Sequence, residues 1–161
     1  MAKPTKYATP ICLGLTVIAA LGIILGLTTR SALVTTLALL PTVGYEAYRT
    51  EGKSTRWAAW ALLLVFIAQL VLLIFKINFD LIRFFGEQER YVAGYRIPLG
   101  DIKVAGSALM MALSVILFTR TRGIYTRWLA AIIFFTALAI VYILAPDTFG
   151  DLLKTVMEQS S

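Results

Sequence analysis

Five side chains at helical spacing are the arrangement in this sequence most capable of chemistry. Gln69, Lys76, Asp80, Arg83 and Glu87 fall within about 60° of one another on a helical wheel. An amide followed by cations and carboxylates could line a polar path for an ion or solute. Ionisable groups held in hydrocarbon are costly and face protein or water. The plainer reading is structural: Gln69 bonds a neighbouring helix, and Lys76 snorkels to the interface and pairs with Asp80 one turn on. The plainer reading is the stronger one.

Glu46 is a second candidate, because a carboxylate stripped of water could relay protons. Its simpler fates are headgroup water or a partner in Arg49 or Arg56. Arg120, Arg122 and Arg127 could clamp a phosphate, yet they also suit a loop lying on lipid headgroups. Gly52-Lys53-Ser54-Thr55 resembles the end of a phosphate-binding loop. That motif needs a glycine where Ala47 stands and a preceding strand, so the segment reads as a polar turn.

The chain contains no histidine. That removes His-ligated haem, His-rich di-iron sites, HExxH metalloproteases and Ser–His dyads. Cys12 is the only cysteine, so no internal disulfide can form, and it is expected to pack as a small apolar residue.

The elements that must position these residues are apolar. The chain has 161 residues, of which 59% are hydrophobic, against about 45–50% in ordinary soluble domains. Five apolar runs, each about long enough to cross hydrocarbon as a helix, predict helices over 11–29, 31–48, 57–85, 103–119 and 127–145. In the third, 57–75 is the apolar span and the remainder protrudes with the polar stripe. An amphipathic tail is expected over 147–158. The fold class is therefore all-α: one membrane domain over 1–161, a polytopic bundle of five transmembrane helices.

Charge orients that bundle. Lys3, Lys6, Arg49, Lys53, Arg56, Arg120, Arg122 and Arg127 gather on one side with only Glu46 and Glu51, while the other side is balanced; the whole net charge of +6 thus lies on one side. Cytoplasmic loops retain Lys and Arg, which puts the N-terminus in the cytoplasm and the C-terminus outside. Arg49, Lys53, Arg56, Arg120, Arg122 and Arg127 are the expected contacts to anionic lipid headgroups. Basic residues that flank apolar runs do not make a nucleic-acid surface. Lys3 and Lys6 before an apolar run imitate a signal peptide, but the run is long and lacks a small-x-small cleavage site, so it reads as a retained helix.

Small residues mark packing faces. Leu15, Ala19, Gly22, Gly26 and Thr29 share one face of the first helix, and Gly106, Ser107 and Ser114 lie on a broad face of the fourth. Pro41 inside the second helix frees the carbonyl of Leu37, with Thr35 and Thr36 near enough to compensate.

The helix number is similar to that of the tryptophan-rich sensory (translocator) family, of vitamin K epoxide reductase relatives and of five-helix subunits of proton-pumping respiratory complexes. The ligand-site signatures of the first and the Cys-x-x-Cys pair of the second are missing, and no diagnostic motif of the third is present. No family membership follows.

The expected function is non-catalytic: an accessory or scaffold subunit packed against other helical membrane proteins and anionic lipid. The alternative is a small oligomeric transporter or channel with a polar path along the third helix. A lipid-modifying enzyme using Asp80 or Glu46 ranks below both. No cofactor is evident; structural lipid is expected, and pigment or quinone contacts stay open. The expected location is a prokaryotic plasma membrane, crossed several times.

Overall fold

The computed structural model describes residues 6–50, 52–77, 102–146 and 157. These residues form five helices: α1 (Ala8–Thr29), α2 (Ala32–Arg49), α3 (Lys53–Ile74), α4 (Ile102–Arg120) and α5 (Ile124–Leu144). Four of them, α1, α3, α4 and α5, are long and apolar enough to cross a membrane. α2 carries Thr35, Thr36, Pro41, Thr42, Glu46 and Arg49 and is less apolar.

Long apolar helices are the natural form of such runs, since in hydrocarbon every backbone N–H and C=O must be paired within the segment. That requirement overrides the weak helix propensity of Gly14, Gly22 and Gly26 inside α1. Pro10 sits in the first turn of α1, where its missing N–H removes no helical bond.

Tight turns set the path. α1 ends in Arg30, which adopts a left-handed conformation (φ 51°), and the Ser31 amide donates to the Gly26 carbonyl at 3.0 Å. This closes the helix in the manner of a Schellman motif, with α2 starting two residues later. Residues 50–52 join α2 to α3, and Thr121 to Gly123 join α4 to α5. Gly52, at φ 113°, occupies backbone space that a side chain would strain.

The helices pack in a ring of sequence neighbours that closes through α1 against α5. α2 also packs against α5 across the ring, so α2 meets α1, α3 and α5. This central seat is why the helix with the most polar side chains can exist here. Thr35, Thr36, Thr42 and Glu46 are all fully or almost fully buried by its neighbours. The main core draws on α2 (Leu39, Val43), α3 (Leu62, Phe66), α4 (Met110, Leu117) and α5 (Ile133, Ile140). A second cluster joins α1 to α5 through Cys12, Leu15, Ala19, Leu129 and Ile132.

The outward surfaces of the helices are apolar. Val17, Leu21 and Ile24 on α1, Leu64 and Ile67 on α3 and Phe135 on α5 are all exposed. In a soluble protein such surface would be a liability; against lipid chains it carries no penalty.

The buried face of α1 is Ala8, Cys12, Leu15, Ala19, Gly22 and Gly26, an alternating four-and-three spacing that keeps one seam toward its neighbours. Gly22 lies against Ala38, and Gly26 against Thr35. Thr35 Oγ1 donates to the Gly22 carbonyl at 3.3 Å, a hydrogen bond between helices at their closest approach. The two glycines thus serve the α1–α2 hairpin itself. Gly26→Leu forces a side chain into Thr35 and should lower stability by about 1–3 kcal/mol, read as a shift in detergent denaturation followed by circular dichroism.

The continuous helix expected over 57–85 is corrected. α3 ends at Ile74, Lys76 turns left-handed (φ 50°), and the Ile77 amide donates to Leu72 O at 3.1 Å. Lys76 N–H also reaches Leu73 O at 3.4 Å, completing a second Schellman closure with lysine where glycine is usual. The amphipathic tail expected over 147–158 lies outside the described residues except for Met157, which is exposed. Residues 78–101, which make up the rest of the connection between α3 and α4, lie outside them too.

Candidate functional site

Two polar constellations form inside the bundle, one toward each end.

The first centres on Gln69 of α3, which is 1% exposed. Its Nε2 donates to the Lys103 carbonyl at 2.9 Å and to Ser107 Oγ at 3.1 Å, both on α4. Ser107 Oγ in turn donates to the Lys103 carbonyl at 3.1 Å. Gly106 provides the space for the amide, since a Cβ there would collide with Gln69 Oε1. That oxygen has no hydrogen-bond partner among the described residues. Gln69, Gly106 and Ser107, picked from the sequence for two separate reasons, thus form one joint between α3 and α4.

The stripe along the third helix does not persist. Lys76 is exposed and lies beyond the end of α3 in a left-handed turn, so it shares no helical face with Gln69. Asp80 and Arg83 lie outside the described residues. Ser114 is buried and donates to the Met111 carbonyl at 2.7 Å within α4, which leaves it as a small contact residue.

The second constellation lies at the opposite end, where the start of α1, the end of α2 and the start of α5 meet. Glu46 is fully buried. Thr50 Oγ1 donates to Glu46 Oε1 at 3.0 Å and to the Glu46 carbonyl at 2.8 Å. Glu46 Oε2 has no hydrogen-bond partner among the described residues, and neither has Thr42 Oγ1, one turn away on the same helix. Thr16, Thr28, Thr29, Thr36, Thr119 and Thr136 each donate to a carbonyl three or four residues back, the usual outlet for a helical threonine. Thr42 departs from that habit.

Arg49 is half-buried at this end. Its guanidinium lies 4.9 Å from the centroid of the Tyr125 ring, and Nη1 donates to Tyr45 Oη at 3.3 Å. Tyr125 Oη and Thr9 Oγ1 are 2.9 Å apart, which ties α5 to α1. Buried Cys12 lies within electrostatic range of both Glu46 and Arg49. As expected it packs as a small apolar residue, in the cluster with Leu15 and Leu129.

Arg49 therefore differs from the other expected headgroup residues, because it is folded into the bundle end by an aromatic ring and a phenol. Lys53, Arg56, Arg120, Arg122 and Arg127 are exposed, with the Arg127 guanidinium 4.7 Å from the Phe118 ring centroid. The sequence offered Glu46 as one candidate among several. Its association with Thr42, Cys12, Tyr45, Arg49 and Tyr125 joins positions as far apart as 12 and 125, and no local motif connects them.

The class of molecule is set by these observations: an all-helical protein with four helices of membrane-crossing length and apolarity. No protein-family model matches the chain, and neither a curated protein nor a solved structure matches it. Among the described residues no group of three or more His, Cys, Asp or Glu side chains could hold a metal ion.

The Gln69 joint predicts a coupling that packing alone does not. Gly106→Ala should destabilise the wild-type background through its collision with Gln69 Oε1, while in a Gln69→Ala background the same change should be close to neutral. Unfolding midpoints of the four chains measure it; equal effects in both backgrounds would show that the amide and Gly106 are independent.

Proposed function

We propose that this protein is a non-catalytic accessory subunit that packs against other helical membrane proteins in a membrane complex. One observation supports the reading above others. The interior side chain best suited to line a conduit, Gln69, is closed onto α4 by two hydrogen bonds, while the helices turn apolar surface outward. A bundle of that kind offers mass and shape to its neighbours in the bilayer. Gly22, Gly26, Gly106 and Ser107 are engaged internally, so partners would meet the outward apolar ridges instead.

In this reading α2 is a fifth span. The N-terminus is cytoplasmic and the C-terminus outside, because exposed Lys53, Arg56, Arg120, Arg122 and Arg127 collect at the cytoplasmic end. Anionic lipid lies against that basic end, and a prokaryotic plasma membrane is the setting.

A second reading, a small oligomeric transporter or channel, draws on the buried polar atoms left without partners among the described residues, Gln69 Oε1, Glu46 Oε2, Thr42 Oγ1 and Thr121 Oγ1. They lie toward opposite ends of the bundle, so a path would need further polar groups supplied by a second copy. Native mass spectrometry after gentle extraction separates the readings. The accessory role predicts a stoichiometric complex with larger membrane proteins. A lone monomer or homo-oligomer overturns it, and solute flux that collapses in Gln69→Leu would establish the second.

A further inference from the structure

Glu46 is the only carboxylate among the described residues, and it is buried where three helices meet. Its two oxygens are treated differently. Oε1 accepts the Thr50 hydroxyl, and Oε2 has no hydrogen-bond partner among the described residues. A buried carboxylate needs hydrogen bonds or a counter-charge to offset the loss of water. The adjacent cation, Arg49, has its guanidinium over Tyr125 and one nitrogen on Tyr45. The side chain thus sits beside its natural counter-ion without receiving a hydrogen bond from it.

We propose that Glu46 is a proton-binding site: it carries a proton on Oε2 in the arrangement seen, and on releasing it draws the Arg49 guanidinium off the Tyr125 ring into an ion pair. The step is a simple acid dissociation. The O–H bond breaks, its electron pair stays on Oε2, and the proton leaves to water at the nearby bundle end. The positive charge that then stabilises Oε2 is already present three residues along the same helix.

A metal cation is a poorer occupant. It would take about six or more oxygen ligands, whereas the oxygens without partners here are Glu46 Oε2 and Thr42 Oγ1, and the Arg49 charge repels it. Among the described residues, the titratable groups at this end are Cys12 from α1, Arg49 from α2, and Tyr45 and Tyr125, which hold Arg49; Lys53 and Arg56 of α3 are exposed. Of these, Arg49 is the fixed charge able to pair with the ionised carboxylate. The site is independent of the accessory-subunit reading, since it concerns one side chain and not the partners of the bundle.

Infrared difference spectroscopy of the full chain in lipid nanodiscs, titrated between about pH 5 and 9, tests the proposal. The wild type should show a protonated-carboxyl stretch that persists above about pH 6, where the ordinary carboxylates are ionised, and fades as pH rises further, and Glu46→Gln should lack that persistent band. Tyr125→Leu removes the competing ring and frees Arg49 to pair, so it should weaken proton binding by about tenfold or more. Absence of the band in the wild type, its persistence in Glu46→Gln, or an unmoved titration in Tyr125→Leu would each overturn the proposal. So would a Glu46→Gln chain that fails to fold, because the neutral isostere reproduces the packed form.

Discussion

A helix in hydrocarbon has no water to satisfy its polar groups, and the rest of this structure follows from that constraint. Backbone groups are satisfied within each helix. Most side-chain groups are satisfied in one of two ways: by folding back on the helix that carries them, or by reaching a neighbour. Most of the threonines take the first route. Thr35 and Gln69 take the second, and each meets its partner at a glycine that allows the close approach. Polarity and close packing are therefore the same feature in this bundle, seen from the two helices that share it.

The constraint also ranks the helices. α2 is the least suited to face lipid on all sides, and it is packed against α1, α3 and α5. Its outward side shows Leu37, Leu40 and Pro41, while its threonines and Glu46 turn inward. The proline lies on the exposed side, where a bend displaces no packed neighbour. Arg30 and Lys76, which close α1 and α3 in left-handed turns, place positive charge beside the last carbonyls of their helices, the favourable sign for that end of the dipole.

Four helices were readable from the sequence to within about three residues at either end, the usual uncertainty of helix boundaries being of this order. Long apolar runs leave little ambiguity, and Arg30 and Gly123 mark the turns. The third helix misled because periodicity continues past its end: Lys76, Asp80, Arg83 and Glu87 keep helical spacing, while the chain turns at Lys76 without the glycine that normally announces such a stop. The packing face of α1 was readable because small residues at regular spacing have few other uses. The cluster around Glu46 was not. Its members lie at positions 9, 12, 42, 45, 46, 49, 50 and 125, and only the packing of α5 beside α1 and α2 brings them together.

Only two residues, Arg30 and Ser31, separate α1 from α2, so the two helices form a tight hairpin. In the five-span arrangement proposed above, the pair is delivered as one hairpin, and the strongly apolar first arm carries the second, whose proline, threonines and carboxylate would make it a poor stop-transfer segment alone. Lengthening that turn with a flexible insert would uncouple the arms. In that arrangement α2 would have to enter without the arm that carries it, so the shortness of one turn also decides which spans travel together.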